Sequence, residues 1–239
     1  MPHQNRVTPF SILIADPARG DVMGNRGCLH NDQKHILHHH ADTCWIICKL
    51  EFPHVPPRPP RPIMAPGMYT ELFFLDEATA FAAGHRPCTL CNRERFTAFQ
   101  HHWAAANPTV AGGATPRVTV LDAHLHRERC TEAYYARDQR KCVYLDVLDA
   151  VPEGAFVALG DGLDPHLVHA TGLLPWTPGG YKAPVARPTG QMVVVLTPRS
   201  VVRAISNGFR LVVHASASNA ATSRTPASDG TATRDAPNA

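Results

Sequence analysis

The stretch FFLDEATAFAAGHRPCTLC, residues 73–91, decides how this chain is read. Its two leading Phe close a strand-like run from Tyr69, and Asp76 can cap a short helix, DEATAFAA, that stops at Gly84. A tight turn with Pro87 follows and carries Cys88 and Cys91. Asn92 or Arg93 then opens a longer helix that ends at Asn107-Pro108. Two cysteines separated by two residues in a turn can place both sulfurs on one ion at ~2.3 Å, half of a tetrahedral zinc site. The helix start adds backbone N–H groups and a positive dipole end, which favour thiolate over thiol, and Arg86 and Arg93 act in the same direction. A redox C-x-x-C normally sits inside a βαβ unit, a pattern missing here, so a metal is preferred over redox-active or inert thiols.

A closed zinc site needs two more ligands, and the sequence upstream supplies candidates. CWIICKLEF, residues 44–52, is an apolar, β-branched run that reads as a buried strand. Cys48 ends its apolar core and is the first candidate. Cys44 shares a face with Cys48 in an extended strand but lies roughly 13 Å away, at about 3.3 Å per residue, so both can ligate only if the strand is broken. The fourth ligand is therefore sought first in GNRGCLHND, where His30 is preferred over Cys28, and Cys44 outside it stays open. The candidate set is His30, Cys48, Cys88 and Cys91, with Zn2+ as cofactor.

Other features are read against plainer explanations. PHVPPRPPRPIMAPG, from Pro53, carries six Pro between Pro53 and Pro62, which forbids helix and central strand. It is a stiff connector, with a PPII ligand for a partner protein as the rival. His38, His39 and His40 are read as solvated loop residues, and His101 and His102 as surface. His124/Glu128 and His126/Cys130 share helix faces as i,i+4 pairs and are expected to be structural. Arg127, Arg129, Arg137, Arg140 and Lys141 read as a solvated face interleaved with acids. Trp176 and Tyr181 are expected as buried aromatics at a strand end, with an exposed stacking loop as the alternative. A short strand is expected at VTVL (118–121), followed by a helix from near Asp122. Strands are also expected near 142–147, 155–159, 166–170 and 192–196, a helix over TPRSVVRAISNG with Thr197 as cap, and a closing strand at FRLVVH (209–214).

The chain has 239 residues, 44% hydrophobic and 18% charged, enough for one large domain or two small ones. A formal net charge of +3 is too small to argue for nucleic acid by itself. No apolar run approaches the roughly 20 residues a membrane helix needs, and the N-terminus has no apolar signal region, so a cytoplasmic location without membrane contact is expected. Ten of the 15 His and five of the 7 Cys fall in the first 110 residues, which places the chemistry there. No Walker loop, Rossmann fingerprint, G-x-S-x-G elbow or H-E-x-x-H helix occurs, and no catalytic residues are assigned.

Residues 73–91 resemble the zinc-binding domain of Ada-type DNA-repair proteins. In that family a strand ending in two Phe leads to an Ala-rich helix and an "AAG-aromatic-RPC-x-x-C" turn that supplies two zinc thiolates. Phe73, Phe74, Ala82, Ala83, Gly84, Arg86, Pro87, Cys88 and Cys91 follow the pattern, with His85 at the aromatic position. The resemblance extends loosely over residues 24–106. It implies a zinc module and association with DNA or RNA. In the family one zinc thiolate accepts a methyl group from a phosphotriester, and the upstream ligands form a C-x-x-x-C pair under 30 residues before the second pair. Here the nearest such pair is Cys44/Cys48, and the proline-rich insertion widens the gap from Cys48 to Cys88 to 40 residues.

The expected architecture is α+β. A zinc-stabilised module (1–108) carries the proline-rich insertion (53–66), a β-rich domain follows over 117–214, and 215–239 form a disordered tail. The zinc is read as structural. The rivals are an enzyme using a zinc-bound thiolate as methyl acceptor or a nuclease-like activity, and a protein-interaction scaffold.

Overall fold

The computed structural model describes residues 1–51, 61–131, 140–160 and 164–222. The first half is built on short strands: β1 (Gln4–Val7), β2 (Leu13–Ala15), β3 (Val22–Asn25), β4 (Ile46–Cys48), β5 (Leu72–Phe74) and β6 (Arg86–Pro87). They form one sheet in the order β2-β1-β5-β3-β4-β6, with β1/β5 and β4/β6 parallel and the other neighbours antiparallel. Four helices follow from the same half: α1 (Glu77–Ala82), α2 (Arg93–Ala106), α3 (Pro108–Ala111) and α4 (Val118–Arg129). A second sheet holds β7 (Tyr144–Val147), β8 (Phe156–Leu159), β9 (Asp164–His169), β10 (Gly172–Thr177), β11 (Gly180–Tyr181) and β12 (Met192–Val195), in the order β11-β10-β9-β8-β12-β7. Helices α5 (Arg199–Ser206) and α6 (Ser216–Thr222) complete a mixed α/β chain of two six-stranded sheets and six α-helices among the described residues. No helix among them is long and apolar enough to cross a membrane.

Local chemistry explains the helix boundaries. Asp76 caps α1, accepting from the Thr79 N–H at 2.8 Å. Gly84, at φ +93°, takes the left-handed turn after it, and a Cβ there would meet the Cβ of Arg129 at 2.7 Å. Helix α2 buries Phe96, Phe99, Trp103 and Ala104, the i, i+3, i+7, i+8 stripe of a core-facing helix. Phe81 of α1, Phe99 of α2 and Phe209 meet with ring centroids 5.0 to 5.6 Å apart. One hydrophobic core therefore runs from Val7 to Phe209 and crosses the stretch 107–117, which holds α3.

Several expectations need correction. VTVL is the first turn of α4 and not a strand, because Leu121, Leu125 and Arg129 recur every four residues on its buried side. FRLVVH forms no strand: the Val212 and His214 N–H groups go to the carboxylates of Glu77 and Asp76 instead of a ladder. Thr197 does not cap α5, since its hydroxyl accepts from the Phe156 N–H; Glu128 caps instead, accepting from the Ser200 N–H at 3.0 Å and its hydroxyl at 2.5 Å. Of the tail expected to be disordered, Ser216–Thr222 is helical, anchored by the Ser216 hydroxyl to the Tyr181 N–H. The rest, 223–239, lies outside the described residues, as do 52–60 of the proline-rich connector and Arg137.

Candidate metal centre

Three cysteines come together where β4 and β6 run side by side. Ile46 and Ile47 of β4 pair with Arg86 and Pro87 of β6, and the Cys88 N–H donates to Ile47 O at 2.9 Å. This parallel register sets Cys88 beside Cys48. The chain then turns through Thr89 and Leu90, with the Asn92 N–H on Cys88 O at 3.2 Å, and brings Cys91 back before α2 begins. The Sγ atoms of Cys48, Cys88 and Cys91 lie within 4.8 Å of one another, Cys48 half-buried and the other two buried. Among the described residues no fourth His, Cys, Asp or Glu joins them.

Hydrogen bonds concentrate negative charge on Cys88. The Cys48 thiol donates to it and the N–H groups of Leu90 and Cys91 point at it, so its pKa falls to about 5. Cys48, as the donor and in a partly dry site beside two other sulfurs, is pushed strongly upward. Burial raises Cys91 as well. A cluster that shares one thiolate among three sulfurs presents soft anionic ligands to a cation. Tetrahedral coordination at ~2.3 Å spaces sulfurs by roughly 3.8 Å, so this arrangement reaches metal-binding geometry by a contraction of about 1 Å or less.

The remaining candidates lie elsewhere. Cys44 shares the Cys48 face of the extended run, yet its Sγ accepts from Arg86 Nη2 at 3.1 Å. Arg86 in turn grips Asp122 with two bonds of 2.8 and 2.7 Å, so its charge is matched by a carboxylate. His30 is not brought to the sulfurs. Its Nδ1 is 2.6 Å from the Thr70 hydroxyl and its Nε2 3.3 Å from Ala65 O, which occupies both ring nitrogens in fastening the 28–36 loop to residues 65–70. The Cys28 Sγ sits 3.7 Å from His30 O.

The plain readings of the other residues divide. His124 pairs with Glu128 at 3.3 Å behind the α5 cap, a structural role. Trp176 donates to the Thr79 hydroxyl and Tyr181 to Asp76, so both aromatics are packed into the fold. His39 and His40 are not solvated: their rings lie 5.4 Å from that of Trp45, and His40 lies 5.0 Å from His126. Nor are Arg129 and Lys141 part of a solvated face. Arg129 is fully buried, with Nη1 on Gly84 O at 2.9 Å, and Lys141 Nζ donates to Ala82 O at 2.5 Å. A charge run on a helix hides this, because only tertiary packing shows which cation turns inward.

The chain matches no known family model, no curated protein and no solved structure.

Proposed function

We propose that Cys48, Cys88 and Cys91 hold a structural zinc ion that ties β4 to the turn before α2, in a module resembling the zinc-binding domain of Ada-type DNA-repair proteins. The observation that carries this is the convergence of three sulfurs from two separate segments to within 4.8 Å, in a site built by the β4–β6 register. Zinc is the fitting ion because thiolate ligands and a tetrahedral preference select it over hard cations. Nucleic-acid association follows from the resemblance, and one feature agrees with it: exposed Lys49 and Arg93 flank Leu90, which is 69% exposed, around a groove at Cys91. The location consistent with this reading is the cytoplasm, where thiols stay reduced.

Metal analysis of the purified full chain is the first test, with one zinc per chain expected. Binding to duplex DNA and to RNA at two salt concentrations is the second, with affinity falling steeply as salt rises. A chain that binds neither keeps the zinc reading and removes the nucleic-acid one. A metal-free chain whose melting is unchanged by added zinc or chelator removes both.

A second reading, methyl transfer to a zinc-bound thiolate, is favoured by one observation: the described residues supply three ligands and leave Cys48 half-exposed. In that reaction the Cys48 thiolate would attack the methyl carbon of a methylphosphotriester, forming the S–C bond while the phosphodiester leaves. We expect no transfer. A 14 Da gain on Cys48 after incubation with methylphosphotriester DNA would establish it (a CH3 in place of the thiol hydrogen).

A further inference from the structure

A second centre, sharing no residue with the three thiols, surrounds Trp45. Arg26 and Arg129 are both fully buried, and each places its guanidinium carbon over the indole, at 4.3 and 4.1 Å from the ring centroid. Neither forms an ion pair with a carboxylate among the described residues. Arg26 donates to His85 Nε2 at 3.3 Å, to His39 Nε2 at 3.0 Å and to Ser11 O at 3.4 Å. Arg129 donates to the carbonyls of Gly84 and Thr43, and its Nε has no partner. The Lys141 ammonium is bound to a carbonyl too, and its pKa falls to about 7 through burial and the nearby Arg26 charge. Neutral partners and one indole offset only part of the cost of burying such charges.

The uncompensated charge borders a cavity. Ser11 and His39, which hold Arg26 from one side, line a space of about 570 Å³ together with Lys141, Leu13, Leu37 and Val143. That volume is in the range of small-molecule sites. Three of the exposed large apolar residues of the chain gather on this one wall: Ile12 at 57%, Leu37 at 55% and Val143 at 46% exposure. His39 Nε2 lies between an Arg26 N–H at 3.0 Å and the Ser11 carbonyl at 3.2 Å, and its Nδ1 is buried without a partner in the protein. Apolar walls beside buried cations without carboxylate partners describe one kind of occupant.

We propose that this cavity binds a small organic anion with an apolar body, its charged end toward Lys141 and His39 and its body along Leu13, Leu37 and Val143. Charge complementarity supplies the selection: Lys141 lines the cavity and Arg26 lies behind Ser11 and His39, and neither is ion-paired with a carboxylate among the described residues. A carboxylate and a phosphate monoester share the required chemistry.

Calorimetric titration of the full chain with octanoate and with octyl phosphate tests this, with octanol and inorganic phosphate as controls lacking the charge or the tail. One or both of the amphipathic anions should bind at least tenfold more tightly than either control, and the tighter one identifies the head group. Lys141→Met keeps the apolar stem and should weaken anion binding about tenfold, which is ~1.4 kcal/mol. Leu37→Glu, at an exposed position, places a negative charge on the wall and should abolish binding without unfolding the chain. Octanol binding as tightly as octanoate overturns the proposal, as does the absence of binding by both anions at about 5 mM. Should Lys141→Met fail to fold, Leu37→Glu decides alone, and unchanged binding in that variant also overturns it.

Discussion

On one face of the β4–β6 pair stand Cys44, Cys48, Arg86 and Cys88; on the other, Trp45 and Ile47 are buried, and the Trp45 ring centroid is 5.3 Å from that of His85. The first face settles its charges locally: Arg86 is matched by Asp122, and the three thiols share protons until a cation replaces them. The second face gathers Arg26 and Arg129 on an indole with no carboxylate opposite among the described residues. The same two strands thus carry thiols on one face and, on the other, the indole that two buried guanidiniums cover. Strand alternation sends the cysteines and Trp45 to opposite sides, since neighbours in sequence point to opposite faces.

Breaking the thiol face should have the largest effect. Cys88→Ser should lose the metal and lower the melting temperature by more than about 10 °C, because several kcal/mol of metal binding is folding energy and each kcal/mol shifts a chain of this size by ~2–4 °C. Metal content measured alongside thermal melting checks this, and retention of both values would leave the cluster without a metal role. Asp122→Ala comes next. It strands Arg86 as a buried, unpaired cation and should cost about 3–5 kcal/mol in urea unfolding. A loss under about 1 kcal/mol would show that Arg86 escapes to water and that the first face does not depend on charge matching.

Acid sharpens the contrast from the other side. Burial and the neighbouring cations hold His39 down at about 3 and His40 at about 4, and His85 well below its usual range. The unfolded chain takes up protons on these residues near pH 6.5 while the folded chain does not. Folded stability therefore falls as pH drops from about 6.5 towards 4, since the unfolded state binds more protons there. Thermal melting across that window at saturating zinc should show the decline, and His40→Gln should flatten it; an identical slope in the variant would place the acid sensitivity elsewhere.

The smallest effects should come from the two residues that the sequence offers as ligands but the fold holds apart. Cys44→Ser and His30→Gln should each keep stoichiometric zinc. Cys44→Ser should cost no more than ~1 kcal/mol, as it exchanges one weak sulfur acceptor for an oxygen. Zinc lost from either variant would bring that residue back to the centre and break the division between the faces.

The sequence was sufficient for whatever rests on near neighbours in the chain. The Asp76 cap, the Gly84 stop, the Cys88/Cys91 turn and the separation of Cys44 from Cys48 follow from capping chemistry, positive φ and the rise of a strand. Helix α4 was legible only in part, because its first turn, VTVL, carries β-branched residues whose local preference is overridden once Leu121 and Leu125 find a core. FRLVVH has the composition of a strand, but whether its N–H groups meet a ladder or the carboxylates of Asp76 and Glu77 depends on residues more than a hundred positions away. Tertiary structure alone decided that Arg26, Arg129 and Lys141 turn inward around Trp45, drawn from three distant segments. The physical reason is range: caps and turns act over three or four residues, whereas burial of a charge is determined by everything that closes over it.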